Sequence, residues 1–180
     1  MLSRNQFFDY AEYPPDIYLQ TRKSPIEGVG LFSGVNLSAG TILFEIKGEK
    51  VSHPKYNPFL ADKNPNWMGI GYCEWIIMDH YNYGLFLNHS CKPNVIINGK
   101  LQVITFAPVK ADEELKLDYS TTELDPDWKM LCNCGEIGCR EILRSFQFLS
   151  ENIRARYANF IAPVFSQMKP KSKVFENRLH

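Results

Sequence analysis

Four of the five cysteines in this 180-residue chain lie in two short polar segments about forty residues apart. The first segment, NHSCKPN at residues 88–94, contains Cys91, and the second, CNCGEIGC at residues 132–139, has the spacing C-x-C-x4-C. Two glycines let the second segment fold back, so that its three thiolates converge. Zn²⁺ bound by thiolates is tetrahedral, and three ligands leave one corner open. The pattern therefore predicts a zinc site whose ligands are Cys91, Cys132, Cys134 and Cys139.

The alternative interpretation is that these are free surface thiols, but three exposed thiols within eight residues would be prone to oxidation. A disulfide framework is disfavoured, because the cysteine count is odd and we recognise no export signal in residues 1–180. Cys73 lies in the apolar stretch GYCEW, where we expect a small buried side chain.

Composition limits the class of protein. The length suits one domain with its own core, and no apolar run reaches the roughly 18 residues of a membrane span. We expect an intracellular protein, nuclear or cytoplasmic. The net charge of zero does not support direct nucleic-acid binding. Residues 144–180 carry a net charge of +5, and seven carboxylates lie between Asp112 and Asp127, which would either attract a basic ligand or form a solvated face.

Hydrophobic alternation predicts short strands over most of residues 16–120. The stretches that read as strands are DIYLQTR, GVGLFS, TILFEIKGEKV, GYCEWIIMD and ELKLDYS. In VIINGKLQVITF, residues 95–106, Asn98-Gly99 predicts a two-residue type I′ hairpin turn. The Pro- and Asn-rich residues 53–66 predict an irregular insert, and residues 169–173, KPKSK, a basic tail.

Apolar residues recur every three or four positions after the cysteine cluster, which predicts one C-terminal helix that ends at Pro163. Its apolar face consists of Phe146, Leu149, Ile153, Tyr157, Phe160 and Ile161. The helix could pack on its own domain, which is the default, or against another chain, so monomer and homodimer both stay open. The fold class is mostly β with a C-terminal α-helix.

Four motifs together resemble one family. GVGLF at residues 28–32, NHSCKPN, EELKLDYS at residues 113–120 and CNCGEIGCREIL at residues 132–143 are similar to GxG, RFxNHSCxPN, GEELxxDY and CxCGxxxCRGxL. These patterns, in this order, are typical of SET-domain protein lysine methyltransferases with a post-SET zinc segment. The resemblance implies a β-clip-like fold of several small sheets, in which the NHSC and LDY segments form a knot-like active site.

The resemblance also implies domain boundaries, ligands and residue roles. We expect an N-terminal extension (1–16), a SET domain (17–122), a post-SET zinc segment (123–143) and a C-terminal helix with a basic tail (144–180). S-adenosyl-L-methionine would donate a methyl group to a lysine of a basic protein, either a histone or another basic protein such as a ribosomal one. The family's catalytic tyrosine corresponds to Tyr119. Donor contacts correspond to Gly28, Val29, Gly30, Asn88, His89, Tyr119 and Leu143, although Leu143 could equally serve packing alone.

Several positions depart from the family pattern. Leu85 replaces the arginine of RFxNHS, Glu141 replaces the glycine of CRG, and Leu117 stands where Phe or Tyr is common. The smaller Leu117 would leave room for di- or trimethylation. Two alternatives to an enzyme therefore stay open: a non-catalytic binding module that keeps zinc and donor binding, and a structural domain that binds neither donor nor peptide. Asp118 is interpreted as structural.

Overall fold

Twelve short strands form three sheets in the part of the chain that the computed structural model describes, residues 19–52 and 67–166. The expected N-terminal extension, the insert at 53–66 and the basic tail at 169–173 lie outside these residues. Within them, no helix is long and apolar enough to cross a bilayer.

The elements follow one another in short succession. The strands are β1 (Leu19–Lys23), β2 (Val29–Ser33), β3 (Ile42–Glu45), β4 (Gly48–Ser52), β5 (Trp67–Gly71), β6 (Glu74–Met78), β7 (Asn88–His89), β8 (Val95–Ile97), β9 (Gln102–Thr105), β10 (Glu114–Leu117), β11 (Lys129–Leu131) and β12 (Ile142–Arg144). The helices are α1 (Glu151–Tyr157), α2 (Pro163–Ser166) and three 3₁₀ helices at Tyr83–Phe86, Tyr119–Thr122 and Phe146–Phe148.

The largest sheet has the order β1-β2-β10-β8-β9-β3, and β7 pairs with β10 beside this path. A second sheet has the order β4-β6-β5, and β11 and β12 form a separate hairpin. All three residues of β8 are buried because alternate side chains meet different cores. Val95 and Ile97 face the main core, while Ile96 faces a second core formed with the C-terminal segment. The C-terminal segment thus packs on its own domain.

The C-terminal segment is less regular than the apolar pattern predicts. Its expected inward residues do pack in the second core, but the helix is broken at Leu149 and Ser150, which adopt extended backbone. Ser150 occupies the position before α1 with extended backbone, although its side chain makes no capping hydrogen bond. Pro163 begins α2 instead of only ending a helix, since its fixed φ suits a first helical turn. The prediction of one continuous helix is therefore wrong.

The hairpin between β8 and β9 also differs from its prediction. Positive φ occurs at Leu101 (61°), whereas Asn98 and Gly99 are not in that region. The nitrogen of Leu101 donates to the carbonyl of Asn98 at 3.0 Å, and the Asn98 side chain accepts from the nitrogens of Lys100 and Gln102 at 2.9 and 3.0 Å. The asparagine thus stabilises a longer turn through its side chain, in place of a type I′ turn through its backbone.

Cys73 is not in the interior of a strand. It lies in the turn between β5 and β6, is partly exposed and has a φ of 58°. The expectation of a buried strand cysteine is therefore wrong, because the apolar run that contains Cys73 is a turn followed by a strand.

Candidate active site and metal centre

Two of the sequence motifs lie side by side in the structure. Strands β7 and β10 are parallel, with Asn88 opposite Lys116 and His89 opposite Leu117. Asn94 holds the motifs together: its Oδ1 accepts from the nitrogen of Lys116 at 2.7 Å, and its Nδ2 donates to the carbonyl of Glu114 at 2.8 Å. The second asparagine of NHSCKPN therefore acts as a backbone partner for β10.

Tyr119 begins the 3₁₀ helix that follows β10. Asp118 precedes this helix and accepts a hydrogen bond from the nitrogen of Ser120 at 3.1 Å. The Tyr119 hydroxyl donates to the carbonyl of Leu87 at 2.7 Å, and the Tyr119 nitrogen donates to Nδ1 of His89 at 3.2 Å. The phenol is therefore fixed at both ends against the segment that contains NHS.

The surroundings of Tyr119 keep its hydroxyl protonated. Burial raises the pKa of Tyr119 to about 12, and the carboxylates of Glu27 and Glu114 act in the same direction. Because the hydroxyl proton is directed to Leu87, the phenol oxygen presents lone pairs to a neighbouring group. Tyr119 is therefore suited to accept a hydrogen bond through this oxygen and not to act as a base.

Three of the four predicted cysteines and one histidine converge at the other side of the NHS segment. Ring nitrogen of His89 and the sulfurs of Cys91, Cys132 and Cys134 all lie within 4.8 Å of one another. The sulfurs of Cys91 and Cys132 are 3.8 Å apart. Two thiolates bound to one tetrahedral zinc ion at about 2.3 Å would be separated by about 3.8 Å, so this spacing fits zinc.

Cys139 is not one of these four residues, but it lies next to them. Its thiol interacts with those of Cys132 and Cys134 and influences the pKa of both. Burial raises the pKa of the Cys91 thiol, but hydrogen bonds outweigh burial at Cys134 and lower its pKa to about 7. Five residues that could bind a metal ion are therefore present: the four predicted cysteines and His89. A tetrahedral zinc centre needs four ligands.

Hydrogen bonding indicates which of these five residues is not a metal ligand. Burial lowers the pKa of His89 to about 4, although the nearby Asp118 carboxylate acts in the opposite direction, so the ring is neutral at pH 7. Since Nδ1 accepts from the nitrogen of Tyr119, the proton is on Nε2. Nε2 lies 3.4 Å from the sulfur of Cys91 and is placed to donate to it. His89 is therefore better suited to support the Cys91 thiolate than to bind the metal.

Arg140 also donates to Cys91, from its backbone nitrogen at 3.4 Å and from Nε at 3.3 Å. Its Nη2 donates to Oδ1 of Asp118 at 2.6 Å, and Tyr157 donates from its hydroxyl to Oδ2 of the same carboxylate at 3.0 Å. Asp118 is 1 % exposed. The structural interpretation of Asp118 agrees with these contacts. The sequence placed Tyr157 on an apolar face but did not predict that Tyr157 and Arg140 bind Asp118.

A further ion pair holds the cysteine loop against the site. Glu136, between Cys134 and Cys139, accepts from Nζ of Lys116 at 2.9 Å and from the hydroxyl of Ser90 at 3.2 Å. The hydrogen bond from Lys116 lowers the pKa of Glu136. The loop thus contacts both β10 and the NHS segment.

The hairpin between β1 and β2 lies beside Asn88. Gly28 has a φ of 50° and open space where a side chain would be, which leaves its backbone accessible. At Gly30 a Cβ atom would clash with the carboxylate of Glu114, so the absence of a side chain here has a packing reason. Val29 is partly buried against the main core.

Glu114 is a buried carboxylate that the sequence interpretation did not assign to the site. Its Oε1 accepts from the hydroxyl of Ser24 and from Nδ2 of Asn88, each at 2.8 Å. Nδ2 of Asn88 also donates to the carbonyl of Glu27 at 3.1 Å. Both amide hydrogens of Asn88 are thereby engaged, and its Oδ1 is the atom left for a ligand.

Leu143 is fully enclosed by the protein, with 0 % exposure. This burial supports the packing alternative for Leu143, and a donor contact stays a prediction.

The seven carboxylates between Asp112 and Asp127 do not form one continuous acidic surface, because Glu114, Asp118 and Glu123 are buried.

The model of the SET domain family matches residues 28–120, which is more than half of the chain and includes the three motifs of the site just described. The chain belongs to the SET domain family. A similar curated relative is human Histone-lysine N-methyltransferase 2B, which is 33 % identical over 140 residues and aligns with 67 % of this chain. A second is the H3 lysine-4 specific histone-lysine N-methyltransferase of Emericella nidulans, 31 % identical over 136 residues and 67 % of this chain.

This SET domain chain spans only 5 % and 11 % of the lengths of those two relatives. Among solved structures, the crystal structure of KRYPTONITE in complex with mCHG DNA and SAH has a TM-score of 0.55 at 22 % identity. That likeness covers 71 % of this chain and 29 % of that chain. It shows a SET methyltransferase fold, in agreement with the expected mostly β class of several small sheets.

Proposed function

We propose that this SET domain transfers a methyl group from S-adenosyl-L-methionine to the side-chain amine of a lysine in a basic protein. The observation that carries the proposal is the parallel pairing of the NHS and LDY segments, which places Tyr119 against Leu87 and His89. Membership of the SET domain family and the names of the curated relatives support the same activity.

The reaction requires an uncharged amine. A free lysine has a pKa near 10.4 and is an ammonium ion at neutral pH, without a lone pair. A desolvated site and the positive sulfonium of the donor both favour loss of that proton. Once that proton has passed to solvent, the neutral amine nitrogen would form a bond to the methyl carbon as the carbon–sulfur bond breaks and its electron pair moves to sulfur. The products would be a methylammonium group and a neutral thioether.

Tyr119 orients the amine in this proposal. Its hydroxyl donates to the carbonyl of Leu87, so the phenol oxygen can accept a hydrogen bond from the lysine N–H. Such an acceptor fixes the direction of the nitrogen lone pair toward the methyl carbon, and alignment of reacting atoms contributes strongly to rate.

The donor would lie beside the hairpin of β1 and β2. Oδ1 of Asn88 can accept from the donor's ammonium group, because both amide hydrogens of Asn88 are engaged elsewhere. The accessible backbone of Gly28 and the backbone of Val29, Gly30 and His89 would supply further contacts. When bound, S-adenosylmethionine supplies an activated methyl group on a positive sulfur atom.

A structural zinc ion would be held by Cys91, Cys132, Cys134 and Cys139, with His89 and Arg140 donating to the Cys91 sulfur. We assign Cys132, Cys134 and Cys139 to a post-SET segment at residues 123–143, which the metal would fasten to the NHS motif through Cys91. Because ligation of a structural zinc ion contributes directly to folding, its role is to hold the site together.

We infer that the substrate is a histone, and H3 is the first candidate because one relative is named for it. A histone substrate would imply a nuclear place of action. Leu117 is smaller than the Phe or Tyr that is common at its position, and we expect it to allow di- or trimethylation.

Leu85 favours a second candidate, a binding module without turnover. It replaces an arginine of the family pattern, and it packs partly buried against the main core and so offers no polar contact to a donor.

One experiment tests the activity and separates the two candidates. The protein is incubated with isotopically labelled S-adenosylmethionine and with recombinant histones, then with H3 peptides, and the modified lysine is located by mass spectrometry. Donor affinity is measured by calorimetry in parallel. We expect label in a histone lysine. Donor binding without transfer to any substrate would replace the enzyme by the binding module, and absence of donor binding would contradict both.

A further inference from the structure

Tyr157, at the end of α1, has no part in the chemistry or the metal ligation described above. Its hydroxyl donates to Oδ2 of Asp118 at 3.0 Å, and each of these residues is 1 % exposed. Burial of a carboxylate is costly unless hydrogen bonds compensate for the lost water. The C-terminal helix thus supplies a partner that the Asp118 carboxylate needs.

Arg140 holds the other oxygen of the same carboxylate. Its Nη2 donates to Oδ1 of Asp118 at 2.6 Å, and Oδ1 also accepts from the nitrogen of Ser120 at 3.1 Å. A charged pair with a short hydrogen bond has a well-defined geometry. Asp118 is therefore held from two sides, by the cysteine segment and by α1, while it caps the helix that begins with Tyr119.

A second set of contacts leads from Arg140 to Tyr119. Nε of Arg140 donates to the sulfur of Cys91 at 3.3 Å, and the same sulfur lies 3.4 Å from Nε2 of His89. Nδ1 of His89 accepts from the nitrogen of Tyr119 at 3.2 Å. Both sets of contacts end at the residue whose hydroxyl direction decides the proposed reaction.

We propose that Tyr157 and Arg140 are positioning residues that lock the Asp118 carboxylate and thereby set the position of the Tyr119 hydroxyl. The C-terminal segment is then part of the reaction centre and not a separate attachment. The positioning of Tyr119 by these two residues does not depend on the proposed function. Only the expected effect on the reaction rate rests on that function.

The position of Tyr119 can be measured without any turnover. Protein with ¹³C-labelled tyrosine rings is compared as wild type, Tyr157→Phe and Arg140→Lys, and the Tyr119 signal is assigned from its loss in Tyr119→Phe. We expect both variants to shift the Tyr119 ring signal. Tyr72→Phe is the matched control, because Tyr72 is 68 % exposed and lies in the turn between β5 and β6. An unmoved Tyr119 signal in both variants would overturn the proposal.

Kinetics then show whether Tyr157 acts through Tyr119. Tyr157→Phe keeps the ring that packs 5.6 Å from Phe106, measured between centroids, and removes only the hydroxyl. We expect kcat to fall about fivefold, the size of one lost buried hydrogen bond, with KM for donor and peptide changed less than about twofold. In the Tyr119→Phe background the same change should have almost no effect, because coupled residues are not additive.

An equal fold loss in both backgrounds would assign Tyr157 to general stability and overturn the proposal. Thermal melting and zinc content of Tyr157→Phe check that the domain is folded. If Tyr157→Phe is unstable, Arg140→Lys tests the other side-chain contact of Asp118 in its place. A wild-type protein without any methyl transfer would contradict the proposed function alone, since the ring signals still decide whether Tyr119 is positioned as inferred.

Discussion

Individual residues of this SET domain serve the site through contacts that no local pattern contains. Asp118 contacts side chains that lie 22 and 39 positions further along the chain, Arg140 and Tyr157. The motifs predicted Tyr119, Asn88 and the four cysteines because each lies in a short stretch with a recognisable spacing. Arg140, Glu114 and Tyr157 could not be predicted in the same way, since their partners are defined only by the folded chain.

Glu141 provides a test at the residue scale. It replaces a glycine of the family pattern and has a φ of 61°, where a side chain costs about 1–2 kcal/mol. We expect Glu141→Gly to raise the free energy of unfolding by about 0.5–1 kcal/mol, because relief of strain exceeds the entropy that glycine adds to the unfolded chain. Urea unfolding measures the change.

The control for Glu141→Gly is Glu49→Gly. Glu49 is an exposed residue of β4 with ordinary strand backbone, and glycine there should lower stability by about 0.5–1 kcal/mol. Equal losses in both variants would show that the backbone at Glu141 is not strained.

The elements were predictable where one core decides the side-chain pattern. The stretches around β1, β2 and β10 were recognised by alternation, and the apolar residues after the cysteine cluster were recognised as core. Alternation did not show where one strand ends and another begins. TILFEIKGEKV is two strands, β3 and β4, which belong to different sheets. The sequence did not predict β5 at all. In both places only two residues separate neighbouring strands, and sheet packing decides where such a short break falls.

The end of the 3₁₀ helix Tyr119–Thr122 offers a test at the element scale. Its next residue is Glu123, and burial raises the pKa of Glu123 to about 7, although the hydrogen bond from the nitrogen of Asp125 acts in the opposite direction. The carboxyl therefore binds its proton more tightly in the folded state than in the unfolded state. Its contribution to stability is present below pH 4.5 and is lost as the pH rises toward 7.

Glu123→Gln should remove this loss, because an amide keeps the acceptor oxygen without the charge. We expect the variant to exceed the wild type in free energy of unfolding by up to about 3 kcal/mol at pH 8, and the difference to shrink toward pH 5. Urea titrations between pH 5 and 8 measure it, with Glu49→Gln as the exposed control. A difference that is constant with pH would contradict the account of Glu123.

At the scale of the molecule, the cysteine centre connects the segment at residues 132–139 to the NHS motif. One zinc ion per chain is expected by metal analysis. Cys134→Ser should lose the metal and lower the melting temperature by more than about 10 °C, because ligation free energy is folding free energy.

Cys73→Ser is the matched control for this change, since Cys73 lies in the turn between β5 and β6 and not in the cluster. It should retain the zinc ion. Full zinc content in Cys134→Ser, or equal loss in both variants, would contradict the assigned centre.

The central claim is that the Tyr119 hydroxyl orients a lysine amine for methyl transfer. The most direct measurement is single-turnover transfer from labelled donor to the histone substrate by wild type, Tyr119→Phe and the exposed control Tyr72→Phe. We predict a rate about a hundredfold lower in Tyr119→Phe, with zinc content retained and donor affinity reduced far less than the rate, and a wild-type rate in the control. An undiminished rate in Tyr119→Phe would contradict the account.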